Sequence, residues 1–111
     1  MSPAGDMGPD GPLEVVQGVD EDRIVVRADL DLSLAEPLRA RGLALMEGGR
    51  RLAIDLTHTM FLDSSGVQSL VRLATAAPDG GFRVMAGGQP YQVLELTEVL
   101  DLLGVERVDR R

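Results

Sequence analysis

The segment Leu52-Ala53-Ile54-Asp55-Leu56 and, after a short loop, Asp63-Ser64-Ser65-Gly66 decide the fold. The first segment is a compact apolar run, which is typical of a strand buried on both faces in mid-sheet. From Ser64 to Ala77 the apolar residues change to helical spacing. The inner face of this predicted helix contains Val67, Leu70, Val71 and Ala74. Because 82–86 is again strand-like, the pattern predicts a right-handed βαβ unit with parallel strands.

The flanking segments extend this unit to a complete domain. Two β-branched runs, 13–18 and 23–28, predict an antiparallel hairpin with 20–22 as its polar turn. Ser33-Leu34-Ala35-Glu36 matches a capping box and predicts a helix that begins there and stops at Gly48-Gly49. A final helical stretch opens at Pro90, and a short edge strand is expected at 105–108.

These elements predict one α/β domain, residues 13–108, with a small mixed β-sheet and helices packed against it. The preceding residues, 1–12, hold three Pro, three Gly and two Asp, a composition that cannot pack into a core. We therefore expect a disordered N-terminal tail.

Charge excludes several classes of partner. The formal net charge is -7, with 18 acidic residues against 11 basic ones, whereas nucleic-acid binders carry basic patches. An anionic membrane surface is disfavoured for the same reason, and no apolar run reaches the length of a membrane span. The N-terminal residues lack the basic and apolar regions of a signal peptide. We expect a cytoplasmic protein that binds neither nucleic acid nor membrane.

Missing residue types exclude most enzyme chemistry. The chain has no Cys and no Lys, and its single His is His58, so thiol catalysis, cysteine-bound zinc and lysine chemistry are absent. Asp29-Leu30-Asp31-Leu32-Ser33 resembles the nucleophile motif of haloacid-dehalogenase-type phosphotransferases, but those enzymes need a lysine. A triad of Ser64 or Ser65 with His58 lacks the G-x-S-x-G elbow. We predict no catalytic residue, no metal and no cofactor.

The tetrapeptide 63–66 is the strongest candidate for a functional site. An Asp or Ser here is an ordinary helix N-cap, but one hydroxyl suffices for capping and the chain carries two. The site also follows a parallel-type strand, where α/β folds place functional groups. Gly66 would let another segment approach closely. A phosphate here would be favoured by the helix dipole by about 0.3–1 kcal/mol, and its charge beside Asp63 would repel a bound partner.

The same residues resemble the STAS domain family of bacterial anti-sigma factor antagonists. The resemblance rests on 52–56, on Phe61-Leu62-Asp63-Ser64-Ser65-Gly66-Val67, and on the late helix with Leu-Thr-Glu-Val-Leu at 96–100 and Leu103-Gly104-Val105. Ala28-Asp29-Leu30-Asp31 resembles the family's "GELD" turn, with Ala and Asp in place of Gly and Glu. The likeness spans roughly residues 13–108.

This resemblance implies a function and assigns site residues. An antagonist of this family binds an anti-sigma factor that is a serine kinase, is phosphorylated by it and releases it, and a phosphatase restores the antagonist. The implied phosphoacceptor is Ser64. The implied partner-binding residues are Asp29, Asp31, Asp63, Ser65 and Gly66. The alternative is an unswitched STAS scaffold in a stressosome or in a lipid or anion transporter. The oligomeric state, a homodimer included, stays open.

Overall fold

The structure, a computed structural model, describes residues 11–109 of the chain. Residues 1–10 of the predicted disordered tail therefore lie outside the described part. The elements in chain order are β1 (Leu13–Val16), β2 (Glu21–Val26), α1 (Leu32–Leu45), β3 (Arg51–Asp55), α2 (Ser64–Ala76), β4 (Phe82–Ala86), α3 (Gly88–Leu96), α4 (Leu100–Leu103) and β5 (Val105–Arg107).

The strands form one mixed sheet in the order β1-β2-β3-β4-β5. β1 pairs with β2 in antiparallel fashion, and every other neighbouring pair is parallel. The predicted mixed α/β domain is thereby confirmed, as are the central position of β3 and the edge position of β5. Each crossover moves one strand further in the same direction, so the carboxyl ends of β2, β3 and β4 lie side by side.

One face of the sheet forms the core with the helices. Alternate strand residues meet apolar residues of α1 and α2, as the period-two and helical patterns require. The cluster includes Ile24, Val26, Leu52, Ile54, Val84, Leu34, Leu38, Leu70 and Leu73. Full burial of one such side chain contributes about 1.5–3 kcal/mol. Of the predicted inner face of α2, Val67 and Leu70 are buried, and Val71 and Ala74 pack partly buried against the cluster.

The start of α1 differs from the prediction. The N-cap is Asp31, whose carboxylate accepts hydrogen bonds from the Ser33 amide at 3.0 Å and the Ser33 hydroxyl at 2.7 Å. Glu36 does not reach back to Ser33 but pairs with Arg39, one turn further on. The predicted capping box is therefore wrong. A carboxylate is an equally good cap and also complements the helix dipole, so Asp31 takes the N-cap position and Ser33 becomes the second residue of the helix.

The hairpin also differs, since Glu21 and Asp22 belong to β2 and not to the turn. Asp22 is 2% exposed and faces the helix side of the sheet. Arg50, just before β3, donates to both of its carboxylate oxygens at 2.9 Å, and the Gly18 amide donates at 3.3 Å. These hydrogen bonds from Arg50 hold the pKa of Asp22 below its usual value. The ion pair closes the end of the sheet opposite the carboxyl ends of the parallel strands.

Candidate functional site

The site begins where α2 begins. Asp63 is extended and acts as the N-cap, and its carboxylate accepts a hydrogen bond from the Gly66 amide at 3.2 Å. Ser64 is the first helical residue and is exposed, whereas Ser65 is half-buried. The free amides of the first turn and the helix dipole make this position favourable for an anion. Ser64 therefore lies on the surface, at a position that favours an anion.

The turn after β2 lies directly against this N-terminus. Leu30 and Leu62 form an isolated parallel bridge beyond the ends of β2 and β3. The Leu30 amide donates to Phe61 O at 2.9 Å, and the Asp63 amide donates to Leu30 O at 3.3 Å. These bonds bring the turn that carries Asp29 and Asp31 beside Asp63. The structure thus places Asp29 and Asp31 beside Asp63, although they lie far apart in the sequence.

Gly66 makes this approach sterically feasible. A Cβ atom at Gly66 would lie 2.5 Å from Leu62 Cδ1 and 2.7 Å from the carbonyl oxygen of Leu30. Real carbon atoms do not approach a backbone oxygen so closely, so only glycine fits between α2 and the turn. Gly66 is buried and is therefore a packing residue beneath the site and not a contact surface.

Charge at the site is negative. Asp29 is exposed and Asp31 and Asp63 are partly exposed. Three accessible carboxylates therefore lie on the two segments that the Leu30–Leu62 bridge joins. The Ser33 hydroxyl and amide lower the pKa of Asp31 by hydrogen bonding to its charged form. The described residues include no group of three or more His, Asp or Glu side chains placed to hold a metal ion.

The hydrolase alternative finds no support in the geometry. His58 is exposed in the loop before the site, and within residues 11–109 no hydrogen bond joins it to Ser64 or Ser65. The buried hydroxyl in that loop is Thr59, which donates to Val26 O at 3.0 Å. Thr57 donates from its amide and its hydroxyl to Asp55. The loop side chains therefore close the ends of β2 and β3.

Gln89, at the start of α3, is a site residue that sequence reasoning missed. Its side-chain oxygen accepts from the Leu62 amide at 2.9 Å, and its side-chain nitrogen donates to Leu62 O at 3.2 Å. The side-chain amide of Gln89 thus pairs with the backbone of Leu62 as a neighbouring strand would. It does so on the side of Leu62 that faces away from Leu30. The only signal in the sequence was its position after Gly87-Gly88, at the carboxyl end of a parallel strand.

Replacement of Gln89 by alanine should lower the free energy of unfolding by about 1–3 kcal/mol, because the Leu62 amide loses its partner. Amide hydrogen exchange should accelerate at Leu62 and Asp63. Gln92 on the same helix is exposed, so Gln92→Ala is the matched control and should leave both measurements unchanged. Unaltered exchange at Leu62 in Gln89→Ala would show that the loop holds its position without the side-chain amide.

Fold and site together define a single-domain α/β protein with an exposed serine at a helix N-terminus, flanked by an acidic turn. Among residues 11–109, no helix is both long enough and apolar enough to cross a bilayer.

The chain belongs to the STAS domain family, since the family model described as "Mlab, STAS domain" matches residues 14–109. This confirms the family resemblance identified from the sequence. A search of the curated proteins returned no match.

Solved structures share the fold. An anti-sigma factor antagonist from Mycobacterium paratuberculosis superposes with a TM-score of 0.78 at 23% identity, covering 89% of this chain and 88% of that one. An anti-sigma-factor antagonist (STAS) domain protein from Planctomyces limnophilus gives 0.68 at 23% identity, covering 89% and 90%. The anti-sigma factor antagonist SpoIIAA in its unphosphorylated form gives 0.67 at 16% identity, covering 89% and 88%. At these identities the similarity establishes the fold.

Proposed function

We propose that this protein is an anti-sigma factor antagonist that binds an anti-sigma factor serine kinase and is switched off by phosphorylation of Ser64. The observation that carries the proposal is the exposed Ser64 at the first position of α2, with the acidic turn of Asp29 and Asp31 held against the start of that helix. The STAS fold shared with anti-sigma factor antagonists supports it.

The switch acts on binding and leaves the fold intact. The kinase transfers the γ-phosphoryl group of ATP to the Ser64 hydroxyl oxygen, releasing ADP and a proton. The phosphate adds about 1.5–2 negative charges next to Asp63. The helix N-terminus accommodates the phosphate. The partner surface, which is complementary to three carboxylates, then meets the extra negative charge and the bulk of the phosphate, and binding weakens. A phosphatase that removes the phosphate restores binding.

Each site residue has a separate part in this scheme. Ser64 is the phosphoacceptor, and Asp29, Asp31, Asp63 and Ser65 line the partner surface. Gly66 lets the acidic turn reach α2. The protein itself supplies no catalytic group, metal or cofactor, and it acts in the cytoplasm of a bacterium.

Incubation with a purified anti-sigma factor serine kinase from the same organism and ATP should add one phosphate, located on Ser64 by fragment-ion mass spectrometry. Ser64→Ala should accept none, and Ser65→Ala, the matched control, should be modified normally. Ser64→Asp should bind the kinase about 100-fold more weakly than the unmodified protein, since like charges across an interface cost several kcal/mol.

Two outcomes contradict the proposal in different ways. Phosphate found on another residue removes the assignment of Ser64. A complex with a kinase, stressosome or transporter protein that forms equally well with Ser64→Asp and with the unmodified chain favours the unswitched scaffold. The mass of the chain under native conditions shows in the same preparation whether the unbound protein is a monomer or a homodimer.

A further inference from the structure

A groove between α1 and α2 begins next to the site and is not explained by phosphorylation. It has a volume of about 410 Å³ and is lined by Leu32, Ala35, Glu36, Arg39, Ser65, Gln68, Ser69 and Arg72. The Ser69 hydroxyl donates to Ala35 O at 2.8 Å and joins the two helices at the floor of the groove. The groove is therefore a fixed feature of the helix pair, with Ser65 at one end.

The charge of the groove is opposite to that of the site. Arg39 is paired with Glu36, with Nε and Oε1 3.0 Å apart. The hydrogen bond from Arg39 lowers the pKa of Glu36, and the positive charge of Arg72 lowers it further. Two arginines thus face one carboxylate, which leaves the groove with an excess of one positive charge in a chain of net charge -7.

An apolar side chain lies at the end near the site. Leu32, the first residue of α1, is 77% exposed and lines the groove. Arg72 follows Ser64 by eight helical positions, which corresponds to about 12 Å along α2. The surface therefore presents an acidic turn, the phosphoacceptor and an exposed leucine near one end of the groove, and Arg72 further along α2. Within residues 11–109, Arg72 forms no ion pair of its own.

Resting on the proposed function, we propose that this groove docks a segment of the anti-sigma factor kinase that places an apolar side chain on Leu32 and a carboxylate against Arg72. Basic groups of the kinase then face Asp29, Asp31 and Asp63, so the two charged ends set the direction in which the segment lies. We infer a segment with a carboxylate from charge complementarity. An uncharged segment would leave the Arg72 guanidinium without an opposite charge, and a basic segment would be repelled.

The test compares charge reversals that alter the net charge equally. The partner is the purified kinase bound to ADP, which cannot phosphorylate the chain. Arg72→Glu should weaken binding of this kinase about tenfold and make the affinity less dependent on salt concentration. Leu32→Ser should weaken binding to a similar degree. Arg51→Glu is the matched control, since Arg51 is exposed at the opposite end of the sheet, and it should change the affinity less than about twofold. Circular dichroism melts show that each variant is folded.

The partner carboxylate is identified by charge exchange. One Asp→Arg or Glu→Arg variant of the kinase should bind Arg72→Glu more tightly than it binds the wild-type chain. If Arg72→Glu and Leu32→Ser bind as wild type does while Ser64→Asp does not, the groove assignment is wrong and the switch stands. If the groove variants weaken binding but Ser64→Asp does not, the switch is wrong and the groove stands. A kinase that does not bind the wild-type chain overturns both.

Discussion

Replacement of Arg50 by glutamine should lower the free energy of unfolding by about 2–4 kcal/mol at neutral pH. Asp22 is buried, and Arg50 donates to both of its carboxylate oxygens at 2.9 Å. Removal of one partner leaves a buried charge without compensation, which costs far more than the net contribution of the intact pair. Urea denaturation followed by circular dichroism measures the loss.

The double variant Asp22→Asn with Arg50→Gln tests whether the loss of stability comes from the unpaired, buried charge of Asp22. It should recover much of the lost stability, because neither residue is then ionised. Arg51→Gln, at the neighbouring exposed arginine, should change stability by less than about 0.5 kcal/mol. A loss below about 1 kcal/mol in Arg50→Gln would indicate that water already solvates Asp22.

The same pair predicts the pH dependence of stability. The folded protein holds the pKa of Asp22 below its usual value, chiefly through the hydrogen bonds from Arg50. A carboxyl group with a depressed folded pKa stabilises the fold above its unfolded pKa, about 3.9, and loses that contribution as the pH falls towards the folded pKa. The stability difference between wild type and Arg50→Gln should therefore be full at pH 6 to 8 and shrink below about pH 4.

Replacement of Gly66 by alanine should have the second large effect, a loss of about 2 kcal/mol in stability together with displacement of the acidic turn. The added Cβ would stand 2.7 Å from Leu30 O, a backbone atom that cannot move without the turn. Overpacking of this kind costs about 1–3 kcal/mol, and the higher helix propensity of alanine offsets part of that cost. Chemical denaturation gives the loss, and amide chemical shifts of residues 29–31 report the displacement.

Gly42→Ala is the matched control, because Gly42 is also a buried helical glycine. The nearest atoms to its added Cβ are side-chain methyls of Leu73, at 2.6 and 3.0 Å, and of Leu52, at 3.2 Å. Rotation of these side chains relieves the contact, so the shifts of residues 29–31 should stay as in wild type. If Gly66→Ala leaves those shifts unchanged as well, the turn does not depend on the absence of a Cβ at this position.

Local sequence patterns were sufficient to predict the helices and strands whose apolar residues recur with a regular period. The apolar run of β3 and the helical spacing of α2 identified the βαβ unit, because burial on two faces or on one helical face leaves a direct trace in residue order. The same stretch carried the family resemblance, and the family match over residues 14–109 agrees with it. The tetrapeptide 63–66 was placed at a helix N-terminus because Asp is a strong capping residue.

The sequence could not predict which of two suitable residues caps a helix, or whether an acidic residue lies in a turn or in a strand. Both Asp31 and Ser33 can cap a helix, and the pairing of Leu30 with the loop after β3 accompanies the choice of Asp31. Asp22 is a typical turn residue, yet it lies in β2 because Arg50, 28 positions later, neutralises the buried carboxylate, and Glu21 beside it pairs with Arg83. Each outcome depends on a partner that is distant in sequence.

The sequence by itself therefore determined the family, the order of the elements and the serine at the start of α2. Only the tertiary structure decided what surrounds that serine: the turn of Asp29 and Asp31 against Gly66, the amide of Gln89 on Leu62, and the groove that contains Arg72. The physical reason is the range of the interactions. Periodicity and capping act within a few residues, whereas the close approach at the site joins the ends of three strands whose adjacency exists only after the sheet has formed.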